Sequence, residues 1–288
     1  MDIFKKICRD EYESHNVYKL LSKGPFIPKR TRELLNKASR DEYNHYLLWR
    51  RISGECSSSL LKLKAVLYLI MLYVFGLTVV LKKIELMETN ASKVYRELSN
   101  SKAHIARELE RLVEEEERHE AEFISSINER RVMYIGSITL GVSDALIELT
   151  GVYTGALGVF NSTLSAGLMG LLTGIAASLS MGVASFNQAK QEASRNPFLS
   201  ALYTMVSYLV VTFLLALPYL VIPSIYYAFI AMIFIALLII AYLNVYIAIL
   251  QEKSFKREFI VSSSLMLGIS ILLYYIGTTA RSFLGLHF

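Results

Sequence analysis

Four glutamates and two histidines recur in a doubled order along the first 130 residues of the chain. The order is a lone Glu followed by a Glu-x-x-His pair, and it reads Glu11, Glu42, His45 and then Glu88, Glu116, His119. Helix residues three or four positions apart share a face, so the Glu and His of each pair can bind one ion together. A Glu from each of two helices plus a Glu-x-x-His from each of two others is the ligand set of a two-metal centre in a four-helix bundle. The spacing therefore predicts a carboxylate-bridged two-metal site.

The doubling gives this pattern its weight, because a single Glu-x-x-His arises often by chance on helices. Tyr18 follows Glu11 by seven residues and Tyr95 follows Glu88 by the same interval, so one half of the pattern echoes the other. The competing interpretation is that the four acids at 114–117 form an ordinary solvated helix face. Carboxylate and imidazole ligands suit iron or manganese, and the residue types alone do not choose between these metals.

Four helices must position these ligands at one level. We predict the bundle helices over residues 3–22, 30–52, 84–100 and 102–130. An uncharged apolar run at 65–81 separates the second helix from the third, and as a helix it would be roughly 25 Å long, which is short for a bilayer. If this run crossed a membrane, the ligands would lie on opposite sides of it. We therefore predict a crossover helix that is buried or rests on the membrane surface, where the flanking lysines would suit anionic lipid.

Charge divides the chain near residue 132. Residues 1–132 carry 24 Lys and Arg against 20 Asp and Glu, whereas residues 133–288 carry 6 and 5. We therefore predict an all-α chain with a soluble bundle domain, the head (1–131), followed by a membrane domain, the tail (132–288). The net charge of +5 forms no basic stripe, which argues against nucleic acid as a partner.

The two cysteines, Cys8 and Cys56, are far apart in the sequence. They form no Cys-x-x-Cys motif, so we expect neither a cysteine metal site nor a disulfide framework. This pattern favours a head in the reducing cytosol. The residues after Met1 include no apolar core, so no cleavable signal peptide is expected.

The tail contains five apolar stretches, each long enough for a spanning helix. They cover residues 133–157, 163–187, 200–221, 225–250 and 258–280. Basic residues occur in the loops after the second and fourth stretches, at Lys190, Arg195, Lys253, Lys256 and Arg257, whereas the loops after the first and third carry none. The positive-inside rule therefore predicts an integral membrane protein with a cytoplasmic head and an external C-terminus.

Asp144 and Glu148 are the two charged residues in the middle of a predicted span. A carboxylate at that depth costs a few kcal/mol or more, so such residues usually face an aqueous path or bind an ion. Their four-residue spacing places both on one helix face, and burial beside each other should raise their proton affinity, so that an arriving cation displaces protons. In the second span, Met181 is ordinarily a packing residue, although its thioether can also bind a transition metal.

The tail resembles the vacuolar iron transporter family in residues 134–151 and 174–181. The whole chain looks like the branch of that family in which a rubrerythrin-type, ferritin-like head is fused to the transporter, and the resemblance covers nearly all 288 residues. In the head, Glu85 stands where rubrerythrins can offer an additional carboxylate. One departure is Ser185-Phe186, which replaces a Glu-Tyr pair common in the family near the inner mouth of the pore.

The resemblance implies proton-coupled export of Fe²⁺, or of Mn²⁺, from the cytosol of a prokaryote across its plasma membrane. It also implies a homodimer whose pore is lined by the first two spans, with Asp144, Glu148 and Met181 on the transport pathway. The head would capture iron, as Fe²⁺ or Fe³⁺, at its two-metal site, and ferroxidase or peroxidase activity of the head stays open. The alternative is a membrane-anchored di-iron oxidase or peroxidase with a passive tether. Ferritin-like storage, which needs a hollow assembly, ranks last.

Overall fold

The computed structural model describes residues 3–25, 27–56, 61–101, 106–126, 133–159, 162–192 and 195–284. Every regular element in these ranges is an α-helix, which confirms the predicted all-α class with five long apolar helices in its C-terminal half. The chain divides into two compact units, Met1–Asn128 and Glu129–Phe288. Each unit is described by itself below.

Five helices lie in the described part of the first unit. They are α1 (Ile3–Leu21), α2 (Lys29–Ser53), α3 (Leu61–Phe75), α4 (Leu77–Ser101) and α5 (Ala106–Ser126). Helix α1 packs closely against α2, and α4 against α5, while the shorter α3 contacts both α1 and α4. The four longer helices thus form a bundle to which α3 is added.

The predicted crossover helix at 65–81 is wrong in its bounds. Gly76 has φ of 82°, a left-handed conformation that favours glycine, and it ends α3 so that α4 begins at Leu77. The residues that follow, including Val79 and Val80, are fully buried in the bundle. The first turns of α4 therefore replace the second half of the expected crossover. Helix α3 keeps an exposed apolar face, which consists of Leu63, Val66, Leu67, Ile70, Tyr73 and Val74.

Two apolar clusters occupy opposite halves of the bundle. The first cluster includes Val17 of α1 and Leu35 of α2, and the second includes Cys8 of α1 and Trp49 of α2. On each bundle helix, the predicted ligands stand between the residues of one cluster and those of the other. The sequence therefore places the polar ligands in a layer closed by apolar side chains at both ends.

The expectation of unpaired cysteines is contradicted by a disulfide between Cys8 and Cys56. Helix α2 runs back along α1 and ends at Gly54, where φ is 81°. This antiparallel return brings residue 56 beside the first turns of α1, with the two Cα atoms 6.1 Å apart. The large separation of the two cysteines in sequence did not predict their distance in space, because the α1–α2 hairpin brings them together.

In the residues of the second unit that the structure describes, five helices are long and apolar enough to cross a membrane. They are α6 (Ile135–Val159), α7 (Thr163–Lys190), α8 (Pro197–Val221), α9 (Ile225–Leu250) and α10 (Phe255–Leu284). Helix α7 begins where the Ser162 side chain accepts a hydrogen bond from Ser165 N, and α8 begins at the Asn196 cap with Pro197 in its first turn.

Glycines allow the closest helix contacts of the second unit. A Cβ atom added at Gly141 of α6 would collide with the Thr204 carbonyl of α8, and one added at Gly174 of α7 would collide with the Thr212 side chain. Helix α8 therefore approaches both α6 and α7 at positions where only glycine fits. Small residues thus mediate the packing of these helices.

Candidate metal centre

The six predicted ligands meet inside the bundle. Their atoms form two groups, each with all members within 4.8 Å of one another: Glu11, Glu42, His45 and Glu116 in one, and Glu42, Glu88, Glu116 and His119 in the other. All six side chains are buried. Glu42 and Glu116 belong to both groups, so the arrangement is that of two adjacent ion sites bridged by two shared carboxylates.

Each ligand histidine is oriented by a carboxylate from the opposite Glu-x-x-His helix. His45 Nε2 lies 2.7 Å from Glu115 Oε2, and His119 Nε2 lies 3.0 Å from Asp41 Oδ2. These bonds occupy Nε2 of each ring and leave Nδ1 to bind a metal ion. Metal-binding histidines usually have such a hydrogen-bond partner on the other ring nitrogen.

Asp41 and Glu115 were missed in the sequence pattern, although a signal for them exists. Each is the acid immediately before the bridging glutamate of its motif, so the repeated unit is acid-Glu-x-x-His rather than Glu-x-x-His. The acid run at 114–117 is therefore only partly a solvated face, because Glu115 binds His45 while Glu114 is exposed.

The two matched tyrosines hold the two lone glutamates across the bundle. Tyr18 of α1 donates to Glu88 Oε1 of α4, and Tyr95 of α4 donates to Glu11 Oε1 of α1. Both tyrosines are almost fully buried. The echo of the seven-residue spacing in the sequence thus corresponds to a reciprocal pair of hydrogen bonds that orients one carboxylate in each group.

Several buried polar atoms of the ligand layer lack a hydrogen-bond partner and could bind a cation. Among the described residues, six of the thirteen buried side-chain atoms without a hydrogen-bond partner lie together in the ligand layer: Glu11 Oε2, Glu42 Oε1, both carboxylate oxygens of Glu116, His45 Nδ1 and His119 Nδ1. An unsatisfied buried polar group ordinarily costs about 1–3 kcal/mol. All of these atoms belong to the two ligand groups, and two metal ions between them would satisfy them together. The residues present therefore fit a two-metal centre.

Burial in this layer favours the protonated forms of two of its carboxyl groups, Glu42 and Glu88. Burial, followed by the negative charge of Glu116, raises the pKa of Glu42 well above its usual value, and the same two causes raise the pKa of Glu88. Burial lowers the pKa of His45, but the carboxylates of Glu11, Glu115 and Glu116 together outweigh burial and raise it. The hydrogen bond with His45 holds the pKa of Glu115 down at about 2. Metal binding must therefore release protons from the buried carboxyl groups.

Glu85 is not brought into either ligand group. It is buried on α4, one turn before Glu88, and its Oε2 lies 2.5 Å from Lys82 Nζ. The ion pair with Lys82 neutralises this carboxylate without a metal. Glu85 thus pairs with Lys82 and lies outside both ligand groups, and its role as an additional ligand stays a prediction.

In the tail, Asp144 and Glu148 lie one turn apart on α6, and both are partly exposed. Tyr208 of α8 donates a 2.7 Å hydrogen bond to Glu148 Oε2. Met181 of α7 is partly buried against the main apolar cluster of the tail. Among the described residues, no third group of three or more His, Cys, Asp or Glu side chains comes as close together as the two groups in the head.

A small polar cavity of about 160 Å³ lies among α6, α7 and α8. Ser185, which stands where the resembled family has Glu, lines this cavity and accepts a 2.9 Å hydrogen bond from Thr204. Ser137, Glu192 and Arg195 line it as well, and Glu192 pairs with Arg195 at 3.1 Å. An acid is thus still present, seven residues beyond Ser185.

Comparisons with models of protein families, with curated proteins and with solved structures find no match for this chain.

Proposed function

We propose that this chain is an integral membrane exporter of Fe²⁺, or of Mn²⁺, whose head collects the ion at a two-metal centre. The observation that carries the proposal is the buried pair of ligand groups with six unpartnered atoms, in a chain that also has five helices apolar enough to span a membrane. Carboxylates and imidazoles in this ratio favour first-row metals that accept both oxygen and nitrogen, and iron and manganese are the common ones.

Within this proposal the head is a cytoplasmic collecting site because the basic loops of the tail favour that side. The Cys8–Cys56 disulfide removes the cysteine pattern as support for a reducing compartment. Burial raises the pKa of Glu42 and of Glu88, so these two carboxyl groups favour protons until cations displace them, and metal occupancy rises with cytosolic metal and with pH. The resemblance to vacuolar iron transporters supplies the direction of transport and the homodimer. The exposed apolar face of α3 supports contact with lipid.

The tail would carry the ion across the plasma membrane of a prokaryote, with the C-terminus outside. Asp144 and Glu148 are carboxylates on one face of α6, and a spanning helix that served only as an anchor would gain nothing from them. Met181 supplies a thioether on the neighbouring helix. A cation bound at the two acids would displace protons, which then return in the opposite direction and couple the two fluxes.

A proteoliposome assay tests the transport proposal. Purified full-length protein should move Fe²⁺ down an imposed concentration gradient and move protons the other way, read by internal metal- and pH-sensitive dyes. Asp144→Asn should reduce the metal flux at least tenfold. The matched control is Glu258→Gln, which removes a tail carboxylate in the first turn of α10. A flux in Asp144→Asn equal to that of the unmodified chain would show that the pathway is assigned wrongly.

The second candidate is a membrane-anchored di-iron peroxidase, and one observation favours it: the ligand groups lie in the head, and none as compact occurs among the described residues of the tail. In that reaction, the six ligand residues would hold two ferrous ions, which would supply the two electrons that, with two protons, reduce peroxide to two waters. This candidate predicts peroxide consumption in the iron-loaded protein that is lost in Glu116→Gln and unchanged in Asp144→Asn, with no metal flux through the tail.

A further inference from the structure

A cleft of about 530 Å³ opens into the ligand layer of the head. Its walls are formed by α1, α3 and α4. Helices α2 and α5 contribute only Glu42 and Glu116, which are the two carboxylates shared by both ligand groups. The cleft therefore reaches the bridging position of the centre.

The packing of the bundle explains why the opening lies on this side. Helix α1 packs closely against α2, and α4 packs closely against α5. Helix α3 contacts both α1 and α4. The two apolar clusters fill the bundle on either side of the ligand layer, and the carboxylates of Asp41 and Glu115 close the histidine side. A hydrated ion thus meets least obstruction between α1 and α4.

One charged side chain of α3, that of Lys64, lies at this opening. Lys64 Nζ pairs with Glu13 Oε2, and both residues line the cleft together with Asp10. Glu13 is only 3 % exposed, whereas the Lys64 side chain is 42 % exposed and extends from solvent into the cleft. A fixed ammonium group near the mouth repels a divalent cation and neutralises an acid that would otherwise attract it.

We propose that the cleft between α1 and α4 is the access route of divalent cations to the two-metal centre, and that Lys64, paired with Glu13, is its gate. This inference rests on the proposed metal centre and adds a route and a rate-controlling residue to it. Displacing the ammonium from the cleft opens the route, so the rate of loading depends on Lys64 while the capacity of the centre does not.

The test is stopped-flow loading of the metal-free full-length protein with Co²⁺, followed by its visible absorbance, alongside the equilibrium stoichiometry. Lys64→Gln should load on the order of tenfold faster, at the low end of the range by which charged clefts change association rates. The matched control, Lys83→Gln, removes an exposed lysine of α4 outside the cleft and should load at the unmodified rate. Ala91→Trp, which places a large side chain in the wall of the cleft, should load at least tenfold slower.

All of these variants should still bind two ions at equilibrium. Unmodified loading rates in both Lys64→Gln and Ala91→Trp would overturn the route and its gate while leaving the metal centre in place. Equal acceleration in Lys83→Gln would overturn the gate, because the effect would then be one of general surface charge. Failure of the unmodified protein itself to bind Co²⁺ would overturn the metal centre.

Discussion

The carboxylates behind the two histidines offer a quantitative test of the metal centre. Glu115→Gln keeps the size of the side chain but replaces a charged acceptor, 2.7 Å from His45 Nε2, with a neutral amide. Loss of such an outer partner typically lowers metal affinity 10- to 100-fold, which corresponds to about 1.4–2.7 kcal/mol of binding free energy. Because His45 belongs to the group that contains Glu11, only one of the two binding steps should weaken.

Asp41→Asn should weaken the other step, because Asp41 orients His119 in the group that contains Glu88. Isothermal titration of metal-free protein with Mn²⁺, fitted to two steps, separates the two effects. Glu114→Gln is the control, since this exposed neighbour of Glu115 changes the net charge equally. If Glu115→Gln binds both ions within twofold of the unmodified protein, or if Glu114→Gln loses as much affinity, then the carboxylates do not position the histidines and the reasoning fails.

Three further results are expected. Burial raises the pKa of Glu42 from 4.5, so the metal-free fold should lose stability as pH rises above that value through the raised pKa. In urea unfolding, the free energy of unfolding of Glu42→Gln should therefore increase relative to that of the unmodified chain as pH rises. A difference that does not change with pH would contradict this. Reducing Cys8–Cys56, which are 48 positions apart, should cost about 4 kcal/mol of unfolding free energy by loop entropy, and a change below 1 kcal/mol would contradict it. Gly174→Val should lower the melting temperature of detergent-solubilised protein, because the added side chain collides with α8. Gly268→Val is the control, because there is open space around Gly268. Equal changes in melting temperature in the two variants would contradict this prediction.

The ligand layer could be predicted because helical spacing is a local property. A Glu-x-x-His pair lies on one helix face wherever the helix goes, and its repetition implied a partner for each half. The cross-bundle bonds of Tyr18 and Tyr95 gave physical meaning to a spacing that the sequence showed only as an echo. The five apolar helices were predictable for a related reason, since length and hydropathy alone define a candidate span.

What the sequence did not reveal depends on contacts between distant segments. The pairing of Cys8 with Cys56 follows from the α1–α2 hairpin, and no local pattern marks it. The role of Asp41 becomes visible only when α5 places His119 beside it. The break at Gly76 had a local signal, a glycine within an apolar run, which the uniform hydropathy of that run concealed.

The most direct test of the central claim is anomalous diffraction from crystals of the full-length protein soaked in Mn²⁺. The account predicts two peaks in the head, both touching Glu42 and Glu116, one beside His45 Nδ1 and the other beside His119 Nδ1. A single peak, or peaks confined to surface acids while the six ligand side chains stay unoccupied, would contradict a two-metal centre and the function built on it.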